Sequence, residues 1–179
     1  MMSTHALILI VDESLGDSLT PENLKNLGGI PSVYIHADGY PSFMLKFLRE
    51  FLKLPASISR RWDAPYLLGG LISYYNIDEM SPFLIDFERL EGREMTTKER
   101  REHQRAYKFN KIDFYYFSEW RGIGVYPFNS VEVDYIYIIT SNNSKDAPYF
   151  NIYVLDGFDF KFIGVFDEEV SDDIIRGMD

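Results

Sequence analysis

The chain has 179 residues, 46% of them apolar and 16% aromatic, with 18 Lys and Arg against 28 Asp and Glu for a formal net charge of −10, and no cysteine. That length suits one domain, residues 1–179, rather than two ample cores, and so high an aromatic content is at odds with a disordered chain. The lack of cysteine removes disulfides, thiolate metal sites and a cysteine nucleophile.

Residues 6–11 (ALILIV) form a continuous branched apolar run, the mark of a buried strand. Thr20-Pro21-Glu22 reads as an N-cap with proline at the first helical position, opening a short helix that Gly28 closes. A second strand is expected at 32–36, where Asp38-Gly39 turns the chain and Pro41 has no N–H for a ladder. Ser42 is the expected cap of a helix over 43–54, apolar at 44, 47, 48, 51 and 52 and charged at 46, 49, 50 and 53, which Pro55 ends. Another helix is expected from near Asp63, with Pro65 in its first turn, through Leu67, Leu68, Leu71, Ile72 and Tyr75. Gly69-Gly70 in its middle costs roughly 1 kcal/mol per glycine relative to alanine, and close packing is the expected reason for them.

Residues 83–88 alternate weakly, as a strand does. The Thr96…Glu99 spacing is that of a capping box and opens a short, solvated, polar helix toward Lys108. Beyond Ile112 the period moves toward two, with strands expected at 113–117, 131–140, 149–155 and 160–166. The last two are joined by Asp156-Gly157-Phe158-Asp159, a hairpin signal. Gly122-Ile123-Gly124 lacks the third glycine and the helix of a dinucleotide loop and reads as a bend between strands. The acidic tail holds one helical turn capped by Ser171. The expected fold class is α+β, a mainly antiparallel sheet with a C-terminal meander, covered by two or three helices. Because Tyr and Phe fall on both sides of the late strands, the second face needs a further layer or another subunit, and a homodimer is expected.

Charge is unevenly spread. Residues 1–92 carry 7 basic and 12 acidic side chains, residues 93–121 carry 8 and 5, and residues 122–179 carry 3 and 11. The plain reading is a set of solvated faces that differ in sign; the functional reading is an acidic C-terminal surface for a basic protein partner. Arg100, Arg101, Arg105, Lys108 and Lys111 would suit phosphate, but Glu99, Glu102 and the acidic stretch that follows oppose a polyanion, so no direct nucleic-acid partner is expected.

Val33-Tyr34-Ile35-His36-Ala37-Asp38-Gly39-Tyr40-Pro41, followed by a helix, resembles the H-x-D-G-Y-P signature of a family of uncharacterised bacterial and phage proteins. Asp134-Tyr135-Ile136-Tyr137-Ile138 and Ile152-Tyr153-Val154 resemble late strands of the same family, and the two blocks together cover about half of the chain. Ala37 stands where that family commonly has tryptophan, and Phe43 and Met44 stand where glycines often follow its proline. The resemblance implies a strand–turn–helix fold and a phage or prophage setting, but no activity.

The ligand-binding candidates are His36, Asp38, Gly39 and Tyr40. A carboxylate two residues beyond an imidazole can orient it for proton transfer, and Tyr40 beside a helix N-terminus suits a phosphate. The structural reading of the same residues is that Asp38-Gly39 makes the turn, Pro41 starts the helix, and His36 and Tyr40 pack locally. His5 and His103 have no ligand spacing, so no metal site is expected. Trp120 and Arg121, an aromatic beside charges, are interface candidates. G-x-S-x-G, P-loop and H-E-x-x-H motifs are absent, and no catalytic residue is assigned.

The function expected is that of a small acidic, non-catalytic binding or regulatory protein of phage or prophage type, acting on a host or viral protein partner. It would need no cofactor and no membrane. The start of the chain lacks a basic leader with a long apolar stretch, and no segment approaches the ~20 apolar residues of a membrane span, so the location expected is the cytoplasm of a bacterium or of an infected host cell. The alternative is a small enzyme or ligand-binding protein for a phosphorylated small molecule at the His36/Asp38/Tyr40 turn. A self-assembling structural protein ranks third.

Overall fold

One mixed, mostly antiparallel six-stranded sheet organises the chain. The computed structural model describes residues 4–11, 30–36, 38–79, 96, 123–128 and 132–178. The strands are β1 Ala6–Val11, β2 Pro31–Ile35, β3 Ile123–Pro127, β4 Tyr135–Ser141, β5 Phe150–Asp156 and β6 Phe162–Asp167. The described helices are α1 Pro41–Leu52, α2 Pro55–Ser59, α3 Ala64–Glu79 and α4 Asp172–Arg176. Across the sheet the order is β3-β2-β1-β4-β5-β6. The α+β class and the antiparallel β4-β5-β6 meander follow the sequence reading. The expected helix at 21–28, strand at 83–88, polar helix to 108 and strand at 113–117 lie outside the described residues, as do Trp120 and Arg121.

β1 occupies the centre because its run has no polar face to offer to water, and all six of its residues are buried. It pairs antiparallel with β2 and parallel with β4, in a register that runs from Ala6 opposite Tyr135 to Val11 opposite Thr140. Side chains alternate across a strand. Ala6, Ile8 and Ile10 therefore join Val33, Ile35, Tyr137, Ile139, Ile152 and Val154 in one cluster, under Met44, Leu45, Leu48, Phe51 and Leu52 of α1 and Leu67, Leu71 and Tyr75 of α3. Leu7, Leu9 and Val11 join Ile136, Ile138, Leu155, Phe128 and Val133 in a second cluster on the other face. Leu9 and Ile138 are wholly buried within the single chain, so the centre of the second face needs no second subunit to cover it. What stays in water lies toward the two sides of the sheet, at Tyr126 on β3 and at Ile163 and Val165 on β6.

α1 begins two residues earlier than a serine cap at Ser42 would put it. Tyr40 is the N-cap residue, Pro41 is the first helical residue, and no side chain caps the end. The Tyr40 carbonyl accepts from Phe43 N and Met44 N. Proline at the first position has a φ already suited to the helix and lacks an N–H that would go unpaired, so it displaces Ser42 from the capping role. Pro55 ends α1, but it also opens α2 by the same device. α3 is capped as its sequence implies, the Asp63 carboxylate accepting from Tyr66 N at 3.1 Å. α4 is capped by Ser171, whose Oγ accepts from Ile174 N. Arg49 of α1 ties this tail down by donating to Val170 O at 3.0 Å and Asp172 Oδ1 at 2.6 Å.

Two glycine expectations are corrected. A side chain on Gly69 would meet nothing within 4 Å, and one on Gly70 would touch the Phe51 ring at 3.6 Å, an ordinary contact. Close packing is therefore not what requires this pair. Gly69→Ala is expected to stabilise the protein by about 1 kcal/mol, since alanine lowers the backbone entropy lost on forming a helix. A rise of roughly 2–4 °C in Tm would follow for a chain of this size, and an unchanged or lower Tm would contradict the open surface at this position.

The second correction concerns Gly124. Rather than a bend, it lies within β3, opposite Tyr34, and Pro127 at the end of β3 lies opposite Pro31. Glycine and proline are tolerated here because β3 is the last described strand on its side of the sheet, with a ladder on one side only. β4 also starts later than the alternation from Val131 implied. Asp134 N instead donates to His5 O at 3.0 Å, before pairing proper begins at Tyr135.

Candidate functional site

The start of β1, the end of β2, the start of β4 and the end of β5 share one end of the sheet, and the N-terminus of α1 springs from the same end. The motif folds here because Asp38, Gly39, Tyr40 and Pro41 each have a backbone task. Asp38 takes a left-handed conformation, φ 60°, which aspartate tolerates better than most side chains. Gly39 N donates to Thr4 O at 2.9 Å, and the buried Tyr137 hydroxyl donates to Gly39 O at 2.8 Å. A Cβ on Gly39 would stand 2.8 Å from His5 C and Thr4 O and 2.9 Å from Ala6 Cβ, so only glycine allows the turn to lie against the start of β1. The left-handed residue of the turn is thus the aspartate, and glycine is there for close approach.

His36 is exposed. Its ring stacks on His5 with centroids 4.8 Å apart, and its Nδ1 lies 3.2 Å from the Tyr34 hydroxyl. Tyr34 in turn packs edge-on against Tyr126 of β3 at 5.5 Å. Burial holds the Tyr34 phenol above its ordinary value of 10.0, and the neighbouring Tyr126 and Asp134 push it the same way. A raised phenol pKa favours the native state while the group is protonated. Its contribution is present below the unfolded value and is lost as pH rises through the folded one. Stability should therefore fall more steeply above pH ~10 in the wild type than in Tyr34→Phe, as read by urea midpoints from pH 8 to 11. Parallel curves for the two proteins would count against this cause.

Beside the turn lies an open cavity of about 260 Å³ lined by Thr4, Tyr40, Asp134, Tyr135, Asp156 and Phe158. Two carboxylates and three aromatic rings thus face one small volume. One oxygen of each carboxylate is committed to backbone amides. Asp134 Oδ2 accepts from His5 N at 2.6 Å, and Asp156 Oδ1 accepts from Phe158 N at 2.9 Å and Asp159 N at 3.2 Å. These bonds hold both side chains at the mouth without consuming their charge. Of the four residues singled out in the sequence, Tyr40 lines the cavity. His36 stands in the neighbouring His5–Tyr34–Tyr126 cluster, Gly39 anchors the turn, and Asp38 is exposed in it.

Sequence reasoning missed Asp134, Tyr135, Asp156 and Phe158 as site residues. Asp156 was legible only as a hairpin residue, and Asp134 only as one polar position in an alternating run. It also missed an aromatic and arginine cluster between α2 and α3, near the opposite end of the sheet. Arg60 lies over the Tyr66 ring at 4.8 Å, and Arg61 lies over Trp62 at 4.8 Å and Tyr149 at 5.2 Å. Trp62 and Tyr66 are about half exposed, a composition enriched at protein interfaces.

Among the described residues, no group of three or more His, Asp or Glu side chains is arranged to hold a metal ion, and no helix is long and apolar enough to cross a membrane. No protein-family model, curated protein or solved structure matches this chain. The likeness carried by His36 to Pro41 and the two strand blocks therefore rests on those residues alone.

Proposed function

We propose that this chain is a non-catalytic binding protein that takes a lysine or arginine side chain of a basic protein partner into the cavity beside the 38–41 turn. The observation that carries this reading is the lining itself, Asp134 and Asp156 together with Tyr40, Tyr135 and Phe158. A cation there gains charge–charge attraction from the carboxylates and about 0.5–2 kcal/mol from each well-placed ring face. Glu132 and Asp159, close in the chain to Asp134 and Asp156, add to the negative charge that would steer a basic segment toward this end of the sheet. A regulatory role on a host or viral factor, in the cytoplasm of a bacterium or infected cell, is the setting that the H-x-D-G-Y-P likeness favours.

The rival reading, a phosphorylated small molecule held by His36, Asp38 and Tyr40, fits less well. Two carboxylates at the mouth repel an anion, and Tyr40 is the one motif residue in the lining. The test uses an arginine- and lysine-rich peptide titrated into the full chain by fluorescence anisotropy. Binding is expected to weaken with salt and to fall at least ~10-fold, about 1.4 kcal/mol, in Asp134→Asn/Asp156→Asn. Asparagine keeps the Oδ1 acceptor that each backbone contact needs. An equal charge change at exposed Asp172 and Asp173 is expected to leave binding within about twofold, as charges beyond a Debye length are screened. Equal losses in the two double variants would reduce the effect to net charge and overturn the site. A Tm rise with nucleotides or inorganic phosphate that His36→Ala abolishes would favour the rival.

A further inference from the structure

We propose that the cavity beside the 38–41 turn selects a lysine whose Nζ is trimethylated, a quaternary ammonium, over unmodified lysine or arginine. The inference rests on the reading of this cavity as a cation site and names the cation. Three of the lining residues are aromatic, and each comes from a different part of the fold. Tyr40 precedes α1, Tyr135 opens β4 and Phe158 lies in the β5–β6 hairpin. Among the described residues no ring contact joins these three to one another, and the ring beside Tyr40 is that of Phe43, with centroids 6.1 Å apart. The rings thus stand around a space of about 260 Å³ instead of filling it. Phe158 is 63% exposed, more than any other large apolar side chain among the described residues. Its backbone N–H, held by Asp156 Oδ1 at 2.9 Å, fixes it at the mouth.

The choice among cations follows from what each needs when it leaves water. A guanidinium is matched by both oxygens of one carboxylate. Here Asp134 Oδ2 already accepts from His5 N, and Asp156 Oδ1 from Phe158 N and Asp159 N, so neither side chain presents two unengaged oxygens. An unmodified ammonium is compact and strongly hydrated, with three N–H donors to satisfy. A head of about the size of a water, roughly 30 Å³, leaves most of this cavity to solvent. Trimethylation removes all three donors, keeps the charge and spreads it over a larger apolar surface, so less hydration is lost on entry. Such a head is held by ring faces with negative charge nearby, and three rings and two carboxylates provide that set. Choline lipids carry the same head group beside a phosphate, which Asp134 and Asp156, with Glu132 and Asp159 close by in the chain, repel. A methylated lysine in a basic segment meets no such repulsion.

The test titrates three peptides of one basic sequence into the full chain by fluorescence anisotropy. They differ only at a central lysine, which is unmodified, trimethylated, or replaced by its uncharged tert-butyl analogue of the same shape. The trimethylated peptide is expected to bind at least ~10-fold tighter than the other two, since ring faces attract the charge and not the shape alone. Phe158→Leu, at a position already in water, is expected to keep the wild-type far-UV spectrum and Tm and to cut the preference for trimethyl-lysine at least ~3-fold. Asp134→Asn/Asp156→Asn is expected to weaken the unmodified and trimethylated peptides together. Equal binding of those two peptides by the wild type would overturn this inference and leave the cation reading standing, whereas binding of neither would overturn both. A tert-butyl peptide as tight as the trimethylated one, or a Phe158→Leu protein with the full preference, would also overturn it. So would binding of free choline or phosphatidylcholine vesicles with no preference between the peptides.

Discussion

Gly157→Ala is expected to cost about 3 kcal/mol, the upper part of the range for forcing a side chain into filled space, and so to lower the urea midpoint substantially. A Cβ at this position would lie 2.1 Å from the carbonyl oxygen of Val133, 2.8 Å from its carbonyl carbon and 3.0 Å from its Cγ2. Two of those three atoms are backbone, so no rotamer change relieves the clash. Gly157 N also donates to Asp134 O at 2.9 Å, and the shift needed to admit a methyl group would break that bond. The contact fastens the β5–β6 hairpin to the segment that enters β4. The cavity residues Asp134, Tyr135, Asp156 and Phe158 sit on both sides of it, so peptide binding should fall along with stability. A loss below about 1 kcal/mol would show that the two segments separate easily and that the cavity is not rigidly held.

Glu168→Ala is expected to lose about 3 kcal/mol or more, because it leaves two backbone amides without an acceptor, each worth about 1–3 kcal/mol when buried. Glu168 follows directly on β6 and is 1% exposed, an unusual position for a carboxylate. Its two oxygens accept from Tyr149 N and Phe150 N, the latter at 2.9 Å, where the chain enters β5. A buried carboxylate persists when its lone pairs are met by donors. Glu168→Gln keeps one acceptor and turns an NH₂ group toward the other amide, so about half of the alanine loss is expected, the worth of one hydrogen bond to a charged group. Thermal unfolding of both variants and hydrogen exchange at Tyr149 and Phe150 check this. A glutamine variant as stable as the wild type would show that one acceptor suffices.

The legible parts of this protein are those whose cause is local. The six branched apolar residues of β1, the four-residue rhythm of α1, the Asp156-Gly157 hairpin and the Ser171 cap each carry their signal within about a dozen residues. The errors were also local in origin. Ser42 is a good cap in isolation, but Pro41 one residue earlier is a better helix start. Gly122-Ile123-Gly124 has a turn composition, yet pairing with β2 draws Ile123 and Gly124 into β3, the last described strand on its side of the sheet. The glycine pair in α3 invited a packing explanation that the open surface at Gly69 does not support.

The amino-acid order by itself determined that this chain builds an α+β sheet with a buried first strand, an amphipathic helix after the Asp38-Gly39 turn, and an antiparallel C-terminal meander, because periodicity and turn chemistry act between near neighbours. Only the tertiary structure decided that β1 lies parallel to β4, that the centre of the second face closes within one chain, and that Asp134 and Asp156 meet Tyr40 around one cavity. Those outcomes depend on which strand ends share an edge of the sheet, a choice made by burial summed over the whole chain rather than by any short stretch of it.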